Sequence, residues 1–245
     1  WNKQLNDFNV TGFLRGEYYH NFEQEMSMNT NGGLIVPGQY FINNSKNTPS
    51  YSGKISGEKT ILSIAGQLSL SWKDQIFFDV TGRNDWSSAM VYADGTGNFS
   101  FFYPSVSASV MLDKILNLQE KAPWFTFFKL RGSWANVGRD TDPYALDQYY
   151  TSTVFPGGFR PGATIPDPNI CPENVATWEV GLEAKFLDNR IGADVALYQS
   201  DVTNQIYDVT NDYMSGAKYY TENIGLIRNK GIELAFTFVP VRTKD

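Results

Sequence analysis

The chain of 245 residues is 42% hydrophobic and 15% aromatic, with 19% charged residues and a net charge of −6. That length gives one large domain or two small ones with ample material for a packed core, and the low charge argues against disorder. The acidic balance excludes a basic nucleic-acid footprint, and the longest apolar run, Ala89–Ala93, is far short of the about 20 residues a membrane helix needs.

Taken in chain order, the dominant period is two. The first apolar set is Phe8, Val10, Gly12 and Leu14, and the second runs Leu62, Ile64, Gly66, Leu68, Leu70 and Trp72. Next come Phe78, Val80 and Gly82, then Val106, Ala108, Val110 and Leu112, then Phe128, Leu130, Gly132 and Trp134. The last three are Trp178 to Phe186 at even positions, Ile191 to Leu197 at odd positions, and Ile232 to Phe238 at even positions. Alternation of this kind marks strands with one apolar face, so the chain reads as all-β with eight alternating strands.

None of the apolar sets contains an ionisable side chain. The opposite faces carry Arg15, Glu17, Asp79, Arg83, Lys129, Arg131, Glu179, Glu183, Lys185, Arg190, Asp194 and Glu233. Two architectures produce that pattern. A soluble sandwich turns its apolar faces inward, whereas a membrane barrel turns them to lipid and its polar faces to the lumen. Connection lengths decide between them. Residues 73–75 and 187–189 are tight turns, whereas His20 to Glu58, Trp86 to Phe101, Gly138 to Val175 and Asp208 to Arg228 read as long loops. The intermediate link, Asp113 to Trp124, falls where a short one is due. Regular alternation of short and long connections is the habit of outer-membrane barrels. The segment Leu62–Trp72 is long enough to cross the hydrocarbon, and aromatics bracket the strands in the manner of interfacial belts. Trp72, Phe78, Phe186 and Phe238 lie at the short-turn ends, with Phe102, Trp134 and Trp178 near the long-loop ends.

Several stretches in order resemble one family. They are Val80 to Ser88 (VTGRNDWSS), Phe102 to Ser107 (FYPSVS), Lys129 to Gly138 (KLRGSWANVG), Asp142 to Tyr144 (DPY), Pro172-Glu173 with Thr177 to Gly181 (TWEVG), and Asn223 to Gly225 with Ile227 to Glu233 (IRNKGIE). Together they resemble the barrel of SusC/RagA-type TonB-dependent outer-membrane transporters of Bacteroidota. The resemblance implies a closed barrel of about 22 strands around a plug, of which residues 1–245 would be a single partial β-barrel domain, an antiparallel transmembrane segment with long extracellular loops. The plug, the TonB box and the C-terminal strands are expected to lie outside this sequence. The resemblance further implies an outer-membrane location, import of oligosaccharides or peptides, a SusD-like surface lipoprotein as lid, and TonB acting through the absent N-terminal region.

Within that frame Arg83, Lys129, Arg131, Glu179, Glu183 and Glu233 are expected to face the lumen. The loop aromatics Trp86, Tyr92, Tyr149, Tyr150, Phe155, Phe159, Tyr213, Tyr219 and Tyr220 are candidates for the substrate mouth, since flat rings stack on sugars and peptide side chains. The competing use of each ring is to pack loops together. A soluble secreted β-sandwich that binds glycans, and a passive porin, are the alternative readings. No catalytic residue, metal site or cofactor is expected. His20 and Cys171 are the only residues of their types, no Gly-rich phosphate loop occurs, and Glu179 and Glu183 lie about 13 Å apart along one strand. The segment Arg139-Asp140-Thr141-Asp142 reads as a turn and strand exit in preference to a calcium loop, because the following Gly and terminal Glu are missing.

Overall fold

The computed structural model describes residues 1–152, 157–212, 214 and 216–240. Eight long strands carry the wall: β2 (Phe8–Leu34), β3 (Ser45–Trp72), β4 (Ile76–Ser87), β5 (Ser100–Met111), β6 (Phe125–Arg139), β10 (Glu173–Phe186), β11 (Ile191–Thr210) and β12 (Tyr219–Phe238). Each contains one of the alternating apolar sets. Four short strands are added: β1 (Asn2–Leu5), β7 (Tyr150–Ser152), β8 (Phe159–Pro161) and β9 (Thr164–Pro166). One sheet runs β1-β2-β3-β4-β5-β6-β10-β11-β12-β9, antiparallel throughout except for β9 on β12, while β7 and β8 form a separate hairpin. The sheet is open, as a segment of a barrel must be.

Register makes the wall two-faced. Following paired residues across the sheet, one row reads Phe8, Trp72, Ile76, Val110, Leu130, Leu182, Val195 and Leu234. A slip of one residue turns a strand's opposite face into that row, bringing in Lys129 or Arg131 in β6, Glu183 in β10, Asp194 in β11 or Glu233 in β12. Leu62, Ile64 and Leu68 on this face are 51%, 52% and 44% exposed. No second layer covers them, and the few hydrophobic residues buried among the described residues are chiefly small or lie in the connections: Ala89, Met90, Leu146, Ile170, Ala184, Ala196 and Ala217. A sandwich would hide such a face against a partner sheet, so the sandwich reading fails. In a barrel, lipid covers it and leaves the backbone fully paired within the sheet. No helix among the described residues is long and apolar enough to cross a membrane, which leaves the strands as the spanning elements.

The ends of the sheet differ as loop lengths predict. At one end the chain turns at Asn6-Asp7, at 73–75 and at 187–190, with Asn6, Lys73, Asp74, Leu187, Asp188 and Asn189 all at positive φ. Asn and Asp tolerate that region through local side-chain bonds. The Asp113–Trp124 link at this end holds two short helical turns, α1 (Leu112–Ile115) and α2 (Leu118–Lys121).

Two of the expected long loops are largely strand. β2 and β3 run on past His20 and Glu58, pairing up to Leu34 with Ser45 and closing through 35–44, where Ile42–Asn44 make a single 3-10 turn. Likewise β11 reaches Thr210 and β12 begins at Tyr219, so the Asp208–Arg228 connection contracts to 211–218. Above the bilayer no lipid demands an apolar face, so these extensions are written in Asn, Ser, Gly and Glu, which read as loop. The β2–β3 ribbon still alternates, with Phe22, Met26 and Met28 on one face and Glu23, Glu25 and Ser27 on the other. From Asn21 to Leu34 it reaches about 45 Å beyond the neighbouring strands, at roughly 3.3 Å per residue.

The polar face is closed by ion pairs across strands. Arg131 donates two hydrogen bonds of 2.9 Å to the two oxygens of Asp194 and a third of 3.4 Å to Glu179. Arg83 reaches Asp85 at 2.7 Å, Ser63 at 2.8 Å and Glu17 at 3.2 Å. The Arg131 guanidinium lies directly over Gly181, where a Cβ would stand 2.6 Å from its Cζ and Nε. Gly181→Val is therefore expected to expel Arg131 from its bidentate pair and cost about 1–3 kcal/mol in the full-length barrel, by denaturant titration in vesicles. Arg131→Ala should cost a similar amount, and the double variant no more than the larger single one. Additive losses would show that the glycine serves some other purpose.

Candidate functional site

The long-loop end builds its own small core. Met90, Leu146 and Ile170 are buried, with Tyr92, Phe101 and Ile206 packed around them. They come from three places: the 88–99 connection, the 140–172 connection, and the tops of β5 and β11. Polar clamps hold this core to the wall. The Tyr92 hydroxyl donates to the Asp167 carbonyl and accepts from Ile170 N–H at 3.2 Å, and burial pushes its phenol above the ordinary value. Asn98 Nδ2 donates to the Ile170 carbonyl at 3.0 Å. Asn223, on β12, grips Cys171 with both halves of its amide, accepting from the N–H at 2.7 Å and donating to the carbonyl at 2.8 Å. At the other end of the same connection, Lys59 pairs with Asp140 at 2.7 Å and donates to the Thr141 carbonyl at 3.1 Å, while the Ser87 hydroxyl donates to Asp140. The described residues of 140–172 thus form a strap tied at Asp140, at β9 and at Cys171, between the end of β6 and the edge of β12.

Three clefts open along the strap. The first, about 420 Å³, is lined by Glu58, Thr60, Ser88, Ala89, Val91, Pro143, Tyr144, Leu146 and Asp147. The second, about 450 Å³, takes in Tyr144, Asp147, Tyr149, Thr164, Tyr207, Asp208 and Thr221. The third, also about 450 Å³, lies between Tyr149, Arg160, Pro161 and the 216–218 turn with Lys218. These sizes lie in the ordinary range for small-molecule sites. Tyr144 and Asp147 wall the first two clefts and Tyr149 the last two, so the strap partitions the mouth. Tyr144 adopts φ +63 without being glycine, a strained conformation of the kind that surrounding packing must hold in place. Two residues on, Leu146 is 3% exposed and anchors the strap in the loop core.

The candidate aromatics divide. Tyr149 and Tyr150 stand 58% and 64% exposed on the strap, and Phe159 is 71% exposed on β8. Tyr92 packs the loops together instead of facing the mouth. Trp86 is no loop residue: it belongs to β4, pairs with Leu62 and Ser100, and shares the apolar face. Tyr219 and Tyr220 are in β12, opposite Thr210 and Val209, where β9 adds to the same strand. Burial, with Asp167 nearby, pushes the Tyr220 phenol up. Phe155 and Tyr213 lie outside the described residues. Of the wall charges, Arg83, Arg131 and Glu179 join the ion pairs above, and Glu183 pairs with Lys185 at 2.9 Å. Lys129 stands opposite Glu183 in the register and Glu233 opposite Ala196, both on the polar face. Nothing in the sequence singles out Asp147, and Tyr144 is marked only by the Asp-Pro-Tyr motif. Among the described residues no group of three or more metal-ligating side chains converges, and Asp140 is engaged by Lys59 rather than by a cation site.

Comparison with known proteins decides the family. The model of the TonB dependent receptor-like β-barrel matches residues 1–239. The chain belongs to that family. This TonB-dependent receptor barrel is 29% identical over 204 residues to TonB-dependent receptor P26 of Formosa agariphila, covering 81% of this chain and 20% of the relative. It is 27% identical over 207 residues to TonB-dependent receptor SusC of Bacteroides thetaiotaomicron, covering 76% and 19%. The chain therefore spans about a fifth of the length of the curated relatives it matches. Among solved structures, the RagAB peptide importer in its closed-closed state superposes with a TM-score of 0.80 at 19% identity, over 100% of this chain and 27% of that one. The copper transporter OprC gives 0.55 at 14% identity, over 98% and 34%. The barrel wall of this receptor lies in the outer membrane, with its long connections and clefts at one end and its tight turns at the other.

Proposed function

We propose that this chain forms part of the wall and the cargo mouth of an energised outer-membrane importer, whose cargo is an oligosaccharide or a peptide. The observation that carries this reading is the strap, whose described residues set exposed rings and clefts over the polar face of a lipid-facing wall. Relatives and structural neighbours support it, one named SusC and another described as a peptide importer. In this reading the plug, the TonB box and the remaining strands belong to parts of the protein beyond residues 1–245, and a SusD-like lipoprotein covers the mouth. TonB pulls on the plug, and the wall performs no covalent chemistry. The polar face, with Arg83, Arg131, Glu179 and Glu183 held in ion pairs, lets cargo and plug slide past without a strong electrostatic trap.

Tyr149→Ala and Phe159→Ala in the full-length transporter test the mouth. Loss of an aromatic anchor from a binding surface costs about 1–2 kcal/mol, so each variant should weaken cargo affinity about 5- to 30-fold by isothermal titration. The folded, heat-modifiable barrel should be retained in the outer membrane. Unchanged affinity in both variants would move the binding surface away from the strap.

A further inference from the structure

Asp147 occupies an unusual place. It stands in the partition between the first two clefts, flanked by Tyr144 and Tyr149, and lines both cavities. Its position is fixed from below and from behind. Leu146 is driven into the loop core, which turns its two neighbours outward into the clefts. The Asp147 N–H donates to the Tyr144 carbonyl at 3.1 Å and the Ala145 N–H to the Asp142 carbonyl at 3.3 Å, closing two successive turns. The Asp147 side chain is half-buried, and among the described residues it forms neither an ion pair nor a side-chain hydrogen bond. Two further carboxylates line these clefts: Asp208, which accepts from the Thr221 hydroxyl, in the second, and Glu58 in the first. No lysine or arginine is among the residues lining either cleft. Arg160 and Lys218 line only the third cleft, beyond Tyr149.

With no donor among the described residues, both oxygens of the Asp147 carboxylate are left free to accept from a molecule in the clefts. The groups at hand are aromatic faces and a two-oxygen acceptor. That combination suits a pyranose, which offers a flat apolar face to a tyrosine and adjacent hydroxyls to the two oxygens of a carboxylate. We infer that Asp147 is a specificity-determining residue of the mouth, binding hydroxyl-rich neutral or amino sugars and turning away sugars that carry carboxylates. This rests on the transporter reading above and adds to it the charge of the cargo that the strap admits.

The experiment uses the purified full-length transporter in detergent. Its probes are length-matched neutral, amine-bearing and uronic oligosaccharides, each in several linkages, with neutral oligopeptides alongside. Wild type should bind the best neutral or amino sugar at least about tenfold more tightly than its uronic counterpart, as like-charge juxtaposition requires. Asp147→Asn keeps the shape and should erase the gap between amine-bearing and uronic probes, and Asp147→Lys should reverse it. A heat-modifiability gel on each variant checks that the barrel is folded. A ranking that survives Asp147→Lys in a folded barrel, or uronic sugars preferred by wild type, overturns the inference alone. Binding of peptides with no sugar bound overturns it while leaving the importer standing. Failure of every probe to bind wild type counts against both the inference and the proposed mouth.

Discussion

Arginine at Leu182 should destabilise the full-length barrel by about 2–4 kcal/mol, and arginine at Leu68 by a similar amount. Both leucines lie on the apolar face, Leu182 between Leu130 and Val195 and Leu68 between Gly12 and Val80 in the paired rows. At those depths a guanidinium must be drawn out of water or must drag water and headgroups inward to meet it. Gln67 and Thr237 provide the control, since they sit next in sequence to apolar-face residues and point the other way. Arginine at either should cost far less, because the polar face is wet and already carries Arg83 and Arg131. Reversible denaturant unfolding in phospholipid vesicles measures all four. Equal costs on the two faces would contradict the assignment of one face to lipid.

Ile170→Ala is the second large effect, and it is local. The side chain is fully buried in the loop core, and truncating a buried isoleucine costs about 2–5 kcal/mol, depending on how far the site collapses. Its backbone is also the hub of the clamp, bonded to Tyr92 and Asn98. The lost energy should therefore appear as faster amide exchange across 88–99 and 163–172, with the clefts opening together. Strands 62–72 and 178–186 should exchange as before, because their ladders share no buried side chain with Ile170. Acceleration spread evenly over wall and loops would mean that the mouth and the wall unfold as one unit, in conflict with a separate loop core.

How much of this was legible in the sequence follows the physics of each region. Where lipid imposes an apolar face, as from Leu62 to Trp72, alternation is strict and the strand can be read residue by residue. Leaving the bilayer removes that demand, and the same two strands continue through Asn29, Gly33 and Ser50 with no signal except a few alternating residues such as Met26 and Met28. The first hairpin escaped for a different reason. Four residues, Asn2–Leu5, are too few to show a period, and only the partner strand reveals them. Asn84 interrupts the apolar set two residues before Trp86, so alternation predicts a strand end at Gly82, whereas β4 continues to Ser87. In the mouth, sequence pointed to tyrosines as a class and could not say which were structural. Tyr92 packs on the buried Met90, Leu146 and Ile170, whereas Tyr149 stands exposed, and only the fold distinguishes the two. Asp147 carried no signal of its own, since an isolated aspartate in a loop is ordinary until the clefts on both sides of it are seen.

The β2–β3 ribbon has a consequence for life outside the cell. Above Ile61 strand β3 pairs with β2 and no longer with β4, so the outermost part of the molecule is joined to the wall by its own two strands. An antibody or a phage arriving from the medium meets Tyr40 and the 35–44 turn before it meets anything that touches lipid. A substitution at that tip touches no residue of the hydrocarbon band, because the 35–44 turn contacts the wall only through β2 and β3. The receptor can thus alter its outward appearance while its barrel stays fixed.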